Sequence, residues 1–302
     1  MKKQYALKLA SLTKKGIILG NLLPVFAGFF VGLKYFPNKN SVILCGSTIF
    51  WSCIVIASGC VLNNWFDAEL DQKMDRTKNR ALPMQEVSQI HALIFGTILC
   101  IIGIFGMTHF VNKLAGGIAL FGIFAYTILY TVITKRNSIY GVHIGSISGA
   151  IPPVIGYTAV SGVLDINALC LFFIIVLWQM PHSFAIEVFR YNDYKNAEIP
   201  TVPSMKGLVW TKWSSIAYIT LFLIVNAYFS FKTGAIHLVA SLFFCGYWAK
   251  LARMSPQLSS VPAIPNESQN AWAKKVFFGS IITMTGICVS IILNCGIFLL
   301  NV

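Results

Sequence analysis

Residues 40–66 read NSVILCGSTIFWSCIVIASGCVLNNWF, 27 positions without a formal charge. A helix needs about 20 such residues to cross a bilayer, so this stretch predicts a membrane span rather than a soluble core. The next residues are opposite in character. Asp67, Glu69, Asp71 and Asp75 place four of the ten acidic residues within nine positions. Asn63, Asp67, Asp71 and Asp75 recur every four residues, which on a helix makes one polar stripe. Like charges at that spacing repel unless a cation lies between them. Carboxylates suit a hard ion such as Mg2+, which commonly takes phosphate oxygens as further ligands. Arg76, Lys78 and Arg80 come directly after and are the usual complement for such phosphates. The residues therefore read as a magnesium–diphosphate site at the mouth of a membrane helix.

Outward from this stretch the composition stays that of a membrane protein, 56% hydrophobic and 11% charged. A water-soluble globule does not have that balance. Stretches free of Asp, Glu, Lys and Arg also run over 16–33, 87–112, 114–134, 137–164, 166–186, 213–231, 233–249 and 276–302. The shortest of them, 233–249, has Lys232 and Lys250 at its ends to snorkel. The expected fold is all-α and polytopic, with about nine transmembrane helices around a central cavity and a single domain over 1–302. Counted from a cytoplasmic N-terminus, only Lys34, Lys39, Lys113 and Lys232 of the 23 basic residues fall outside. That bias supports both the span count and the orientation. A basic rim beside anionic lipid accounts for the net charge of +13, so the partner read from charge is the bilayer, and nucleic acid is excluded. The basic N-terminal stretch runs to Lys15 with no small-residue cleavage site after it, so 16–33 reads as a retained first helix.

Two inside segments, 64–86 and 183–212, concentrate the charge and read as cytoplasmic loops facing each other over the cavity. A third, 254–273, carries Pro256, Pro262 and Pro265 and reads as a connector. The eight cysteines all lie within spans and read as buried thiols. The glycine-bearing stretch 141–156 reads as a close-packing face broken at Pro152–Pro153. His182, beside Trp178, Gln179 and Pro181 at the cytoplasmic end of the sixth span, is the histidine singled out for function.

Several motifs carry a family resemblance. Asn63-Asn64-x-x-Asp67-x-x-x-Asp71 with Arg76-Thr77-Lys78-Asn79-Arg80 resembles the first aspartate-rich motif of the intramembrane prenyltransferase superfamily. Tyr130 to Tyr140 with Lys135-Arg136, Gly149 to Tyr157, Trp178-Gln179-Met180-Pro181-His182-Ser183-Phe184 and Arg190 to Lys195 are similar to its haem-farnesylating branch. The resemblance implies farnesyl transfer from farnesyl diphosphate to a vinyl group of haem B in a bacterial cytoplasmic membrane. It implies Mg2+ held by Asn63, Asn64, Asp67 and Asp71, with Asn64, Asp67 and Asp71 catalytic. Arg76, Arg80, Lys135, Arg136 and Lys195 would cradle the diphosphate. His182, Arg190, Asp193 and Tyr194 would touch haem or shape the second loop. A haem A synthase or terminal oxidase assembly is the implied downstream partner. One departure stands out: a second Asp-x-x-x-Asp, common in the superfamily, is absent after the sixth span. A prenyltransferase acting on a quinone precursor or chlorophyllide, and a membrane haem carrier without chemistry, stay open as alternatives.

Overall fold

The computed structural model of the chain describes residues 2–300. From the N-terminus, α1 (Lys2–Ser11) leads into α2 (Lys15–Tyr35), α3 (Ser41–Gln72), α4 (Gln89–Phe110) and α5 (Lys113–Phe124), which continues as a π-helical segment, Ala125–Thr134. Then come α6 (Gly141–Gly149), α7 (Ile151–Ser161), α8 (Ile166–Phe189), α9 (Tyr191–Asn196), α10 (Val202–Thr233), α11 (Ala235–Arg253) and α12 (Glu267–Leu300). No strand occurs among the described residues.

Among the described residues, eight helices are long and apolar enough to cross a membrane, with α5 and the π segment counting as one. The remaining expected span, 137–164, is the broken pair α6–α7. Pro152 and Pro153 cannot donate to carbonyls in the preceding turn, so the helix restarts there, with proline in its first turn where no donor is needed. The result is two short helices in place of one continuous span, in line with the expected Pro152–Pro153 break.

The charged segments are looped only in part: 64–72 belong to α3 with a turn-rich loop over 73–88, and 183–212 is helical except around 190 and 197–201, which corrects the expectation of loops over all of 64–86 and 183–212. Helix α3 has 32 residues and runs about 48 Å at 1.5 Å per residue, well past a hydrocarbon core of about 30 Å. Charge bars a residue from hydrocarbon but not from a helix, so α3 carries Asn63 to Asp71 on its projecting turns. It ends at Gln72, and Asp75 therefore leaves the stripe, exposed and paired with Lys78 at 2.6 Å. In the second segment, α8 continues to Phe189, α9 comes next, and α10 starts at Val202 behind a Thr201–Ser204 capping box. Gly207 bends α10 with φ 81°, a backbone that favours glycine.

Helix α7 lies at the centre, with every residue from Ile151 to Ala159 buried. It packs on α2, α3, α5 and α8, and α12 closes the bundle by touching both α2 and α8. The α2–α7 contact is backbone on backbone. A Cβ at Gly28 would fall on the Pro153 carbonyl, and one at Gly156 on the Val25 carbonyl. Small residues allow this approach, and close packing drives helix association where lipid removes the hydrophobic term. Helix α4 shows the outer side: it exposes Ile90, Ile94, Ile98, Ile101 and Phe105 in one stripe while burying Ala92, Gly96, Gly103 and Gly106. That pattern faces lipid outward and the bundle inward.

Candidate active site

The projecting end of α3 buries Asn63, Asn64, Asp67 and Asp71. Asp67 Oδ2 accepts from Lys135 Nζ at 2.5 Å and from Asn63 Nδ2 at 2.8 Å. Asp71 Oδ2 accepts from Arg80 Nη1 at 2.7 Å, and the same nitrogen reaches Asn64 Oδ1 at 3.4 Å. Arg80 is turned back over the helix by the loop after α3, where the buried Thr77 hydroxyl donates to the Asp71 carbonyl at 2.9 Å. From the α1–α2 junction, Lys14 Nζ donates to Asn63 Oδ1 at 2.8 Å. Three cations thus stand over two carboxylates. Buried charges of this kind are held only when paired and hydrogen-bonded.

Asp67 Oδ1 is buried with no hydrogen-bond partner among the described residues. Together with the amide oxygens of Asn63 and Asn64 and the carboxylate of Asp71, it makes a set of hard oxygen donors. That donor chemistry fits Mg2+. No group of three His, Cys, Asp or Glu side chains that could hold a metal ion occurs among the described residues.

Lys135 owes its place to the π-helical segment. Thr131 Oγ1 donates to Tyr126 O at 2.7 Å, and Lys135 N donates to Tyr130 O at 2.8 Å, each spanning five residues. Wider winding puts Tyr126, Tyr130 and Lys135 on one side, and π segments are often found at functional sites. Thr131 Oγ1 also accepts from Asn63 Nδ2 at 3.1 Å, linking this segment to the stripe. The Tyr126 and Tyr130 rings stack at 6.0 Å.

Two joined cavities open beneath. The first is mainly apolar and runs from Cys60 and Gly59, one turn from Asn63, past Val55, Ile123, Ile151 and Ile155. The second is polar, lined by Tyr130, Ser146, Ser183, Glu187 and Tyr194. Tyr126, Gly145 and Gln179 line both. Helix α9 roofs the polar side: Tyr194 packs on Leu70 and Met74 at the end of α3, so the two charged segments do meet. Burial, with Tyr130 and Glu187 beside it, pushes the Tyr194 phenol upward, leaving a neutral donor.

The other expected residues are less central. Arg136 Nη2 donates to the Phe66 carbonyl at 2.7 Å, while Arg76 and Lys195 are exposed at the rim without ion pairs among the described residues. Asp193 is buried with Arg190 at 3.8 Å. His182 lines neither cavity. Gln179, Ser183 and Glu187 occupy the cavity face of α8, and the helical period turns Trp178 and His182 toward α12. There His182 stacks on Trp178 at 4.6 Å and its Nδ1 lies 2.7 Å from Ser280 Oγ. A haem contact at His182, expected from the resemblance, would therefore lie on the α12 side of α8 and outside both cavities. Lys14 and Tyr126 were not singled out from the sequence, and Tyr130 and Thr131 entered only within the 130–140 stretch. Lys14 counted there only as one basic residue of an inside segment. Burial and the nearby Arg80 pull its ammonium down to about 8.

A model of the UbiA prenyltransferase family matches residues 21–263. A protoheme IX farnesyltransferase of Acinetobacter baylyi is 42% identical over 277 residues, 91% of each chain. One of a Marinomonas species is 39% identical over 284 residues, 93% of each. Among solved structures, a digeranylgeranylglyceryl phosphate synthase superposes with TM-score 0.75 at 18% identity, covering 97% of this chain and 99% of that one. A UbiA homologue from Archaeoglobus fulgidus bound to GPP and Mg2+ superposes with TM-score 0.67 at 16% identity, covering 95% and 99%.

Proposed function

The chain belongs to the UbiA prenyltransferase family, and we propose on that premise that it converts haem B to haem O with farnesyl diphosphate. The observation that carries the reading is Asp67, buried at the head of an apolar cavity with one oxygen on Lys135 and the other unpartnered. The relatives named protoheme IX farnesyltransferase support haem as the acceptor.

In the reaction the C1–O bond of farnesyl diphosphate breaks and its electron pair leaves with the diphosphate. C1 then bonds the terminal carbon of a haem vinyl group, and the cation formed next to the ring is captured by water. Loss of one proton from that water leaves the hydroxyethylfarnesyl chain. Asn63, Asn64, Asp67 and Asp71 would hold Mg2+, which when bound neutralises charge on the departing diphosphate. Lys135 and Arg80 add fixed positive charge where the negative charge develops, and Arg76, Arg136 and Lys195 extend it at the rim. The apolar cavity takes the farnesyl chain and keeps water from the allylic cation. The faces of Tyr126 and Tyr130 favour that cation through their ring quadrupoles. The vinyl carbon needs no deprotonation, so the site requires no strong base.

Haem would approach from the polar side, past Gln179 and Ser183 and under Arg190, Asp193 and Tyr194. A contact from His182 is to be made through Nε2 on the α12 side, because Nδ1 is committed to Ser280. The basic rim supports placing this end of the bundle on the cytoplasmic face of a bacterial inner membrane, with a haem A synthase or terminal oxidase assembly receiving the product. The test is incubation of the purified protein with haem B, farnesyl diphosphate and Mg2+, with mass spectrometry for haem O. Asp67→Asn is expected to lower the rate at least about a hundredfold, the scale of one lost electrostatic contact in a transition state. An Asp67→Asn protein as active as the unsubstituted one would defeat the assignment.

A further inference from the structure

We propose that Lys14 is a ligand of the diphosphate, delivered to the site by the N-terminal helix α1. The inference rests on the prenyl-diphosphate reading and adds a residue outside its sequence motifs. A polar cavity beside the acidic stripe is lined by Lys8, Lys14, Asn64, Asn79, Arg80 and Glu86. Its cations are not equivalent. Lys8 is neutralised by Glu86, and Arg80 by Asp71. Lys14 alone of the three has a neutral partner, the amide oxygen of Asn63. An ammonium carries three donors, and one is used here. A half-buried cation without a carboxylate calls for an anion to complete it.

The backbone holds Lys14 for this task. It sits at φ 55°, ψ 67°, a left-handed conformation that a lysine rarely adopts. Such strain persists where the surroundings over-determine it, often at ligand sites. Here Asn64 Nδ2 fastens the corner by donating to the Leu12 carbonyl at 2.8 Å. Leu12 itself is buried against Ala68, Ala81 and Leu82. The stripe that offers oxygens to a metal therefore also fixes the chain that carries Lys14. Diphosphate oxygens arriving at Asp67 and Asp71 would meet Lys14 from the α1 side and Lys135 from the opposite one.

Binding of inorganic diphosphate with Mg2+ to the full chain in detergent, measured by calorimetry, tests this without any acceptor. Lys14→Gln is expected to weaken binding about tenfold or more, the loss expected for one charge-assisted hydrogen bond. Lys14→Arg is expected to restore most of it. Lys39→Gln removes one charge from an exposed residue outside the site and is expected to change nothing. Unchanged binding in Lys14→Gln, or an equal loss in Lys39→Gln, overturns the proposal. A second measurement needs no variant: diphosphate is expected to protect Lys14, but not Lys15, from acetylation read by mass spectrometry. Equal labelling of Lys14 with and without diphosphate also overturns it. If the unsubstituted protein does not bind diphosphate, the prenyl-diphosphate reading fails first, and the role of Lys14 falls with it.

Discussion

Asp71 and Arg80 show how much one pair decides at the residue scale. Arg80 meets both Asp71 and Asn64 through Nη1, and the remaining planar donors of its guanidinium have no counterpart in a lysine ammonium. Arg80→Lys is therefore expected to keep the charge but lose about tenfold in kcat/KM for farnesyl diphosphate, and Arg80→Ala about a hundredfold. Steady-state kinetics at saturating haem B measure both, and equal activity of the three proteins would contradict the role. His182 is proposed for the other substrate, haem B. His182→Ala is expected to weaken haem B binding about tenfold in a Soret titration while diphosphate binding stays unchanged. Unaltered haem binding would remove His182 from the acceptor site. The stripe Asn63, Asp67, Asp71 was legible because four-residue spacing has one meaning on a helix. Lys14 was not, because nothing local separates a lysine aimed at a site from one that anchors a basic rim.

At the scale of elements, the π-helical segment carries Lys135 to Asp67, and Thr131 holds both its winding and its link to Asn63. Thr131→Val keeps the shape but removes the hydroxyl from Tyr126 O and Asn63 Nδ2. The expected outcome is a KM for farnesyl diphosphate raised about five- to tenfold, with a stability loss of about 1–2 kcal/mol. A KM within error of the unsubstituted protein would show that the link is idle. The α2–α7 contact makes a different demand. Gly156→Val is expected to destabilise the bundle by about 1–3 kcal/mol or more, since its new atoms meet Val25 and Phe29 backbone rather than a movable side chain. Thermal unfolding in detergent checks it. Spans and the Pro152–Pro153 break were readable from charge and proline chemistry. The helical nature of 64–72 and 183–196 was not, because counting uncharged residues finds where hydrocarbon ends, and helices continue past that point. The π winding was hidden too, since Thr131 and Thr134 bond to carbonyls five residues back through contacts that no sequence period announces.

For the whole molecule, we read eight single helices plus the broken α6–α7 pair as nine crossings, which would put the two ends of the described chain on opposite sides of the membrane. Fusion of alkaline phosphatase to the C-terminus is expected to be active, and fusion of a green fluorescent protein there dark. The reverse result would mean that α6–α7 does not cross. The same topology gathers Lys14, Arg80, Lys135 and α9 at one end, above cavities that lead into the bundle. The site was legible in its diphosphate half, where charge had to be written into the sequence. The proposed acceptor half, past Gln179, Ser183 and Tyr194, was legible only through the family resemblance of the 178–184 and 190–195 stretches, because no charge or periodicity announces that these residues converge on one cavity. The most direct measurement therefore sets acceptors against each other. The purified protein, given farnesyl diphosphate, Mg2+ and equal amounts of haem B and 4-hydroxybenzoate, should yield haem O as the farnesylated product in mass spectrometry. Farnesylated 4-hydroxybenzoate with haem B untouched would contradict the account.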